Sequence, residues 1–207
     1  MRSKLLIIFL LLLLVTPIVE AEEELADQGR LTSKQLRYLK EEEIYLATGD
    51  VYFLYQDDEI TAEQLEMNRK TEKLFFTEDV YLEQTAGDQI WGQQLTLQLQ
   101  EDLLIAEEEV RLKTEKGGEP LDLTADYLKI WTDTDDLLAT GDLFVIYDGQ
   151  EVTGERLESQ ADKDEIVITE NVEIKEDDQW LQAKKVVIDL ETGDFDATGD
   201  VKLEFEL

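Results

Sequence analysis

The sequence predicts an all-β fold in which six repeats of two strands each build one folded antiparallel sheet. Three observations predict it. Six stretches of 21 residues align without a gap, and their starts lie 29 to 33 residues apart. Apolar residues recur at alternate positions within these stretches, as half-buried strands require. Turn-forming residues separate the strands, and the longest connection contains Gly117-Gly118-Glu119-Pro120.

The repeats share columns of similar residues. They run Leu31–Val51, Ile60–Val80, Ile90–Val110, Leu123–Leu143, Val152–Val172 and Leu181–Val201. The third position is always small and the sixth is always aliphatic, while positions 15, 17, 21 and 23 are apolar in every copy. Each repeat is therefore predicted to contribute an antiparallel pair of strands, which gives about twelve strands in a single domain.

The alternation is interrupted at two repeat positions. The third position carries a small residue, and position 19 carries a glycine in three copies, Gly49, Gly141 and Gly199. We interpret both as bends or bulges at which the sheet folds over. Local irregularity without a structural role is the alternative, because an isolated glycine in a strand is only suggestive.

The interior of such a fold has two interpretations. A sheet of about twelve strands with apolar columns on one face must curl or fold so that the columns face each other. If its two halves close fully, the interior is a hydrophobic core. If they stay apart, the interior is an apolar groove suited to lipid tails. The residues alone leave both open.

The first 21 residues have the form of a secretory signal peptide. Arg2 and Lys4 precede eleven apolar residues, 5–15, and Val19-Glu20-Ala21 fits a cleavage site. The apolar run is short of the roughly 20 residues of a spanning helix, so an uncleaved anchor in the inner membrane is the less favoured alternative. A polar segment, 22–30, then leads into the repeat domain, 31–207.

Composition excludes most catalytic and metal-binding chemistry. The chain has no histidine and no cysteine, which excludes Ser-His-Asp and Cys-His catalysis and the usual zinc sites. The stretch Asp133-Thr134-Asp135-Asp136 lacks the glycine and distant glutamate of a calcium loop, so an ordinary turn is favoured. We expect no enzymatic activity and no cofactor. The net charge of −32 also argues against a nucleic-acid partner.

A repeated phrase carries a family resemblance. It reads aliphatic-Thr-Ala-acid-x-Leu, as in Ile60–Leu65 and Leu123–Leu128, followed after a turn by Gly-Asp-aliphatic, as in Gly49–Val51, Gly141–Leu143 and Gly199–Val201. In this the chain resembles the OstA-like family of lipopolysaccharide-transport proteins, most closely its LptA-type members. The resemblance covers about residues 31 to 205.

The resemblance implies a fold and a function. The fold would be a β-jellyroll, two sheets folded into an open V with an apolar groove. The function would be to bind the acyl chains of lipopolysaccharide and carry it through the periplasm from the inner to the outer membrane. Partners of the same fold would dock at the ends, LptC-like at one and LptD-like at the other, together with head-to-tail self-association. The alternatives are a membrane-anchored LptC-like component and a structural β-solenoid scaffold without lipid cargo.

Two sets of candidate site residues follow. The inward columns of the central repeats are predicted to meet the acyl chains. These residues are Leu65, Met67, Phe76, Val80, Leu82, Leu97, Val110, Leu112, Ile130, Val145 and Ile174. The end repeats are predicted to leave strand edges for partners, because unpaired backbone groups accept a further strand. The residues of these edges are Val51, Phe53, Val201, Leu203 and Phe205.

Overall fold

The computed structural model describes residues 29–160, 162–176 and 179–205. The predicted signal peptide, 1–21, and most of the polar segment, 22–30, lie outside these residues. Within the described part of the chain, no helix has the length and apolar character needed to cross a membrane.

The described residues form 14 strands and one short 3₁₀ helix, Leu99–Glu101, and they include no α-helix. The strands are β1 Arg30–Thr32, β2 Gln35–Leu39, β3 Ile44–Tyr55, β4 Asp58–Asn68, β5 Lys73–Glu83, β6 Gln89–Gln98, β7 Leu103–Lys116, β8 Glu119–Trp131, β9 Asp136–Tyr147, β10 Gln150–Gln160, β11 Glu165–Glu176, β12 Gln179–Asp189, β13 Phe195–Thr198 and β14 Lys202–Phe205.

The strands form one continuous antiparallel sheet. From β3 to β12 each strand pairs with the next along the chain. At one edge β1 and β2 both pair with β3, and at the other β13 and β14 both pair with β12, so each pair acts as one interrupted strand. The predicted all-β, folded antiparallel β-jellyroll of six two-strand repeats is confirmed. The sheet is continuous, where the V had been expected to consist of two sheets.

A row of bulges crosses the whole sheet. In β3, β5, β7, β9 and β11, the second strand of each of the first five repeats, the pairing register shifts by one residue against the neighbouring strands. At each shift, and between β13 and β14, two successive residues have positive φ. They are Gly49 and Asp50, Glu78 and Asp79, Glu108 and Glu109, Gly141 and Asp142, Glu170 and Asn171, and Gly199 and Asp200. We call this row the fold line. It confirms the predicted bends and extends them to the repeats without glycine.

The fold line divides the sheet into two halves that face each other. Half A ends at the turns inside the repeats, such as 69–72 and 132–135, and half B ends at the turns between repeats, such as 84–88 and 117–118. Phe53 of half B lies on β3 and Phe76 of half A on β5, and their ring centroids are 5.8 Å apart. Their partners on β4, Ile60 and Leu65, are five residues apart, or roughly 17 Å along a flat strand. Only a folded sheet brings these rings together.

The inward columns of both halves pack into a single apolar core. Phe76, Ala106, Leu123, Ile168 and Val186 are completely buried, and they come from five different repeats. The described residues contain no buried side-chain N or O atom without a hydrogen-bond partner. Of the two interpretations of the interior, the structure therefore shows a packed core over most of its depth.

Close packing at the bend explains why the third position is small. Position 21 of one repeat pairs with position 3 of the next, as in Leu143 with Gly154 and Val172 with Ala183. A Cβ atom on Gly154 would lie 2.7 Å from Cγ2 of Ile168, which occupies position 17 of the same repeat. In this repeat the Cγ2 atom of Ile168 occupies the space that a Cβ atom at the third position would need.

We predict that Gly154→Ala lowers the free energy of unfolding by about 1–3 kcal/mol, because the added methyl group overpacks the core. Gly92→Ala is the matched control at the same repeat position. Its added Cβ would meet no heavy atom closer than 3.4 Å, so its effect stays below about 1 kcal/mol. Urea denaturation measures both.

Ile168→Ala completes a double-mutant cycle with Gly154→Ala. It is expected to cost less in the Gly154→Ala background than in the native chain, since it removes the clashing Cγ2 atom. Additive effects of the two substitutions would contradict this packing.

Candidate functional site

Opposite the fold line, the strand ends and turns of the two halves face each other across an opening that we call the mouth. It contains a cavity of about 600 Å³ lined by residues of both halves. Half B contributes the turn 84–88 and Leu112 of β7, and half A contributes Ile130, Thr132 and Leu137. Leu112 and Leu137 are buried whereas Ile130 is half-buried, so the cavity leads from a polar rim to an apolar floor.

The eighth position of each repeat lines the half A side of the mouth. Met67, Leu97 and Ile130 of repeats 2 to 4 are only partly buried and pack against the core from outside. Their counterparts in repeats 5 and 6, Ser159 and Ile188, are 4 and 2 % exposed. The mouth therefore presents an apolar, accessible surface along repeats 2 to 4 and is covered along repeats 5 and 6.

The structure brings the eleven predicted groove residues into one contiguous cluster, at two depths. Met67, Leu97 and Ile130 lie at the mouth, and Leu112 lies below them in the cavity. The remaining residues are buried in the core. They are Leu65, Phe76, Val80, Leu82, Val110, Val145 and Ile174.

Sequence reasoning missed three mouth residues. Leu99 and Tyr55 are partly buried against the core, and Leu137 lines the cavity. Leu137 stands in the apolar column at position 15 and was detectable there. Leu99 lies in the 3₁₀ turn after β6, where strand periodicity gives no information.

Charged groups occupy the rim and the outer face. Asp88, Asp135 and Lys116 lie at the rim of the cavity. On the outer face of β7 and β8, the Arg111 guanidinium donates two hydrogen bonds to Asp122, at 2.8 and 2.6 Å. This pairing lowers the pKa of the Asp122 carboxyl below its usual value. No group of acidic side chains within the described ranges is arranged to hold a metal ion.

Both edges of the sheet expose apolar side chains that would be inward in a central repeat. Six of the seven clearly exposed large apolar residues in the described chain lie at these edges. At one edge they are Leu36 and Tyr38, and at the other Phe195, Val201, Leu203 and Phe205. The last three are residues predicted for the partner edge.

Val51 and Phe53, also predicted for an edge, lie one strand inside it. They belong to β3, which pairs with β1 and β2 on one side and with β4 on the other, and both are buried. Their assignment to the edge was wrong because residues 30–39 themselves form the outer strand. Leu36 and Tyr38 occupy the place expected for them.

The chain matches the model of the family described as LptA/(LptD N-terminal domain) LPS transport protein over residues 30–194. It therefore belongs to this family of lipopolysaccharide transport proteins, which confirms the resemblance seen in the sequence. It has a role in lipopolysaccharide transport.

Among solved structures, the chain is similar to the crystal structure of LptH, the LptA-homologous periplasmic component of the lipopolysaccharide transport device of Pseudomonas aeruginosa. The alignment covers 87 % of this chain and 96 % of that chain, at 7 % sequence identity and a TM-score of 0.28. No curated protein matches the chain by sequence.

Proposed function

We propose that the chain binds the acyl chains of lipopolysaccharide at its mouth and carries the lipid through the periplasm, from the inner to the outer membrane, as a bridge component. The observation that carries this proposal is the row of half-buried apolar side chains along repeats 2 to 4, directly above a continuous apolar interior. The family supports lipopolysaccharide as the cargo.

The energetics favour acyl chains at this surface. Burial of each methylene group stabilises a complex by about 0.8 kcal/mol, and Met67, Leu97 and Ile130 already offer apolar contacts. The cavity of about 600 Å³ has the size of a small-molecule site. Deeper entry requires the halves to separate about the fold line, because the core beneath the mouth is filled.

Charge limits which part of the lipid is held. With a net charge of −32 the protein repels phosphate groups, and several described lysines of the outer face pair with carboxylates, as in Lys34 with Asp50 and Lys184 with Asp200. We therefore propose that the protein binds the acyl chains and that the headgroup stays in solvent.

Two alternatives are separated by simple measurements. The packed core supports a structural scaffold without cargo, and lipid extracted from the purified protein would argue against it. A membrane-anchored LptC-like role requires retention of residues 1–21, whereas the bridge role requires a mature chain that begins near Glu22. Intact-protein mass distinguishes these two forms.

A photo-crosslinking residue at Met67 or Ile130 is expected to capture lipopolysaccharide, because both positions face the mouth. The matched controls are the sequence neighbours Glu66 and Lys129 on the outer face, where the Lys129 ammonium lies 4.3 Å from the Trp131 ring centroid. Capture is read by gel shift and lipopolysaccharide immunoblot. Equal capture at inward and outward positions, or none at Met67 and Ile130, would contradict the proposal.

The exposed edges support docking of further subunits by strand addition. Among the described residues, each edge strand pairs on one side only, and it carries apolar side chains that a neighbouring repeat would cover. We propose an LptC-like partner at one end, an LptD-like partner at the other, and head-to-tail contact between copies of this chain. Such a contact does not close, so assemblies grow with concentration.

We predict that light scattering shows apparent mass rising with concentration, and more strongly in salt, which screens the negative charge. Leu203→Gln, at a side chain that is 50 % exposed, is expected to weaken association at least about tenfold. Lys202→Gln on the opposite face is the control. A native chain that stays monomeric at high concentration and high salt would overturn self-association and leave docking to hetero-partners.

A further inference from the structure

The hairpin between β7 and β8 is longer than the other connections between repeats. The starts of repeats 3 and 4 lie 33 residues apart, whereas the others lie 29 or 30 apart. β7 and β8 contain 14 and 13 residues, and they remain paired as far as Lys116 and Glu119. We call the tip of this hairpin, residues 114–121, the strap.

The strap reaches across the mouth and touches half A. Gly117 lies so close to the turn after β12 that a Cβ atom on it would be 2.2 Å from the carbonyl oxygen of Leu190. On the strap's own side, the Tyr147 hydroxyl of the neighbouring strand β9 donates a hydrogen bond of 3.3 Å to the carbonyl oxygen of Lys116 and holds the tip of the strap in place. Leu121 of the strap is buried, as are Tyr147 and Leu190.

The turn that receives the strap is firmly held. One carboxylate oxygen of Asp189 accepts the backbone N–H groups of Glu191 and Thr192, each at 2.9 Å. The backbone N–H of Leu190 donates to the carbonyl of Asp164 at 2.8 Å. The strap therefore rests on an ordered element of the opposite half.

The covered part of the mouth lies next to this contact, because Ile188 stands two residues before Leu190 at the end of β12. Met67, Leu97 and Ile130 are half-buried in repeats 2 to 4, and Ser159 and Ile188 are buried in repeats 5 and 6. We propose that the strap divides the mouth into a loading stretch along repeats 2 to 4 and a closed stretch along repeats 5 and 6. Given the proposed lipid-binding function, on which this inference rests, acyl chains enter at the loading stretch and advance when the strap lifts.

Two adjacent glycines provide a matched pair of variants. Gly117 and Gly118 both have left-handed backbones, with φ of +60° and +85°. A Cβ atom at Gly118 meets nothing within 4 Å, whereas at Gly117 it meets the backbone of Leu190. Alanine therefore imposes backbone strain at both positions, but forces the strap away from half A only at Gly117.

Thiol reactivity tests the division without lipid, and the chain has no native cysteine. Ser159→Cys and Ile130→Cys are made singly and treated with an alkyl-maleimide. The thiol at position 159 is expected to react at least about tenfold more slowly than the thiol at position 130. Adding Gly117→Ala raises the rate at position 159 several-fold, and Gly118→Ala leaves it unchanged. Circular dichroism confirms that each variant is folded.

Equal rates at positions 159 and 130 in the native background would overturn the proposal, as would the same effect of Gly117→Ala and Gly118→Ala. If Gly117→Ala does not fold, Tyr147→Phe replaces it, since it removes the hydrogen bond to the strap. It is expected to raise the rate at position 159 in the same direction, and an unchanged rate would overturn the proposal.

The same thiol reactions in the presence of lipopolysaccharide separate this inference from the proposed function. Lipopolysaccharide is expected to protect the thiol at position 130 in the native background, and the thiol at position 159 only with Gly117→Ala. No protection at position 130 would overturn the proposed lipid binding and, with it, the entry of acyl chains at the loading stretch. The reaction rates without lipid still test whether the strap closes the mouth along repeats 5 and 6. Protection at position 130 together with equal protection at position 159 in the native background would overturn only the strap.

Discussion

The pair of left-handed residues at the fold line is the constraint on which the rest of the structure depends. Each repeat reverses the sign of φ at two successive residues, and this bends every second strand at the same position. Without the bend, the inward columns would lie exposed on one face of a wide sheet. With it, the columns of half A face those of half B and bury each other.

The bend is maintained even where the sequence opposes it. Glycine occupies its first position in three repeats, but Glu78, Glu108 and Glu170 adopt the same conformation in the others at a cost of about 1 kcal/mol each. Two of these glutamates accept hydrogen bonds from glutamines of the preceding strand, Glu78 from Gln64 at 2.6 Å and Glu108 from Gln94 at 3.0 Å. These contacts partly offset the strain, and burial of the core supplies the rest.

The features that recur in every repeat could be predicted from the sequence, whereas those that depend on contacts between distant residues could not. Columns of side chains identified the strands, the inward face and the bends, because each follows from local pattern. The contact between Gly117 and Leu190 joins residues that are 73 positions apart, so no local pattern indicates it. Val51 and Phe53 were misplaced because residues 30–39 fill the outer edge. Repeats with similar columns do not reveal which turns meet across the mouth.

The central claim is that the halves separate about the fold line to admit acyl chains at the mouth. Spin labels at Ala86→Cys and Thr132→Cys, on opposite rims of the cavity, test it by pulsed electron paramagnetic resonance. A label pair within half A, at Thr71→Cys and Asp133→Cys, is the control. Lipopolysaccharide is expected to lengthen the distance across the mouth and to leave the control distance unchanged. An unchanged distance across the mouth in protein that has bound lipopolysaccharide would contradict the account.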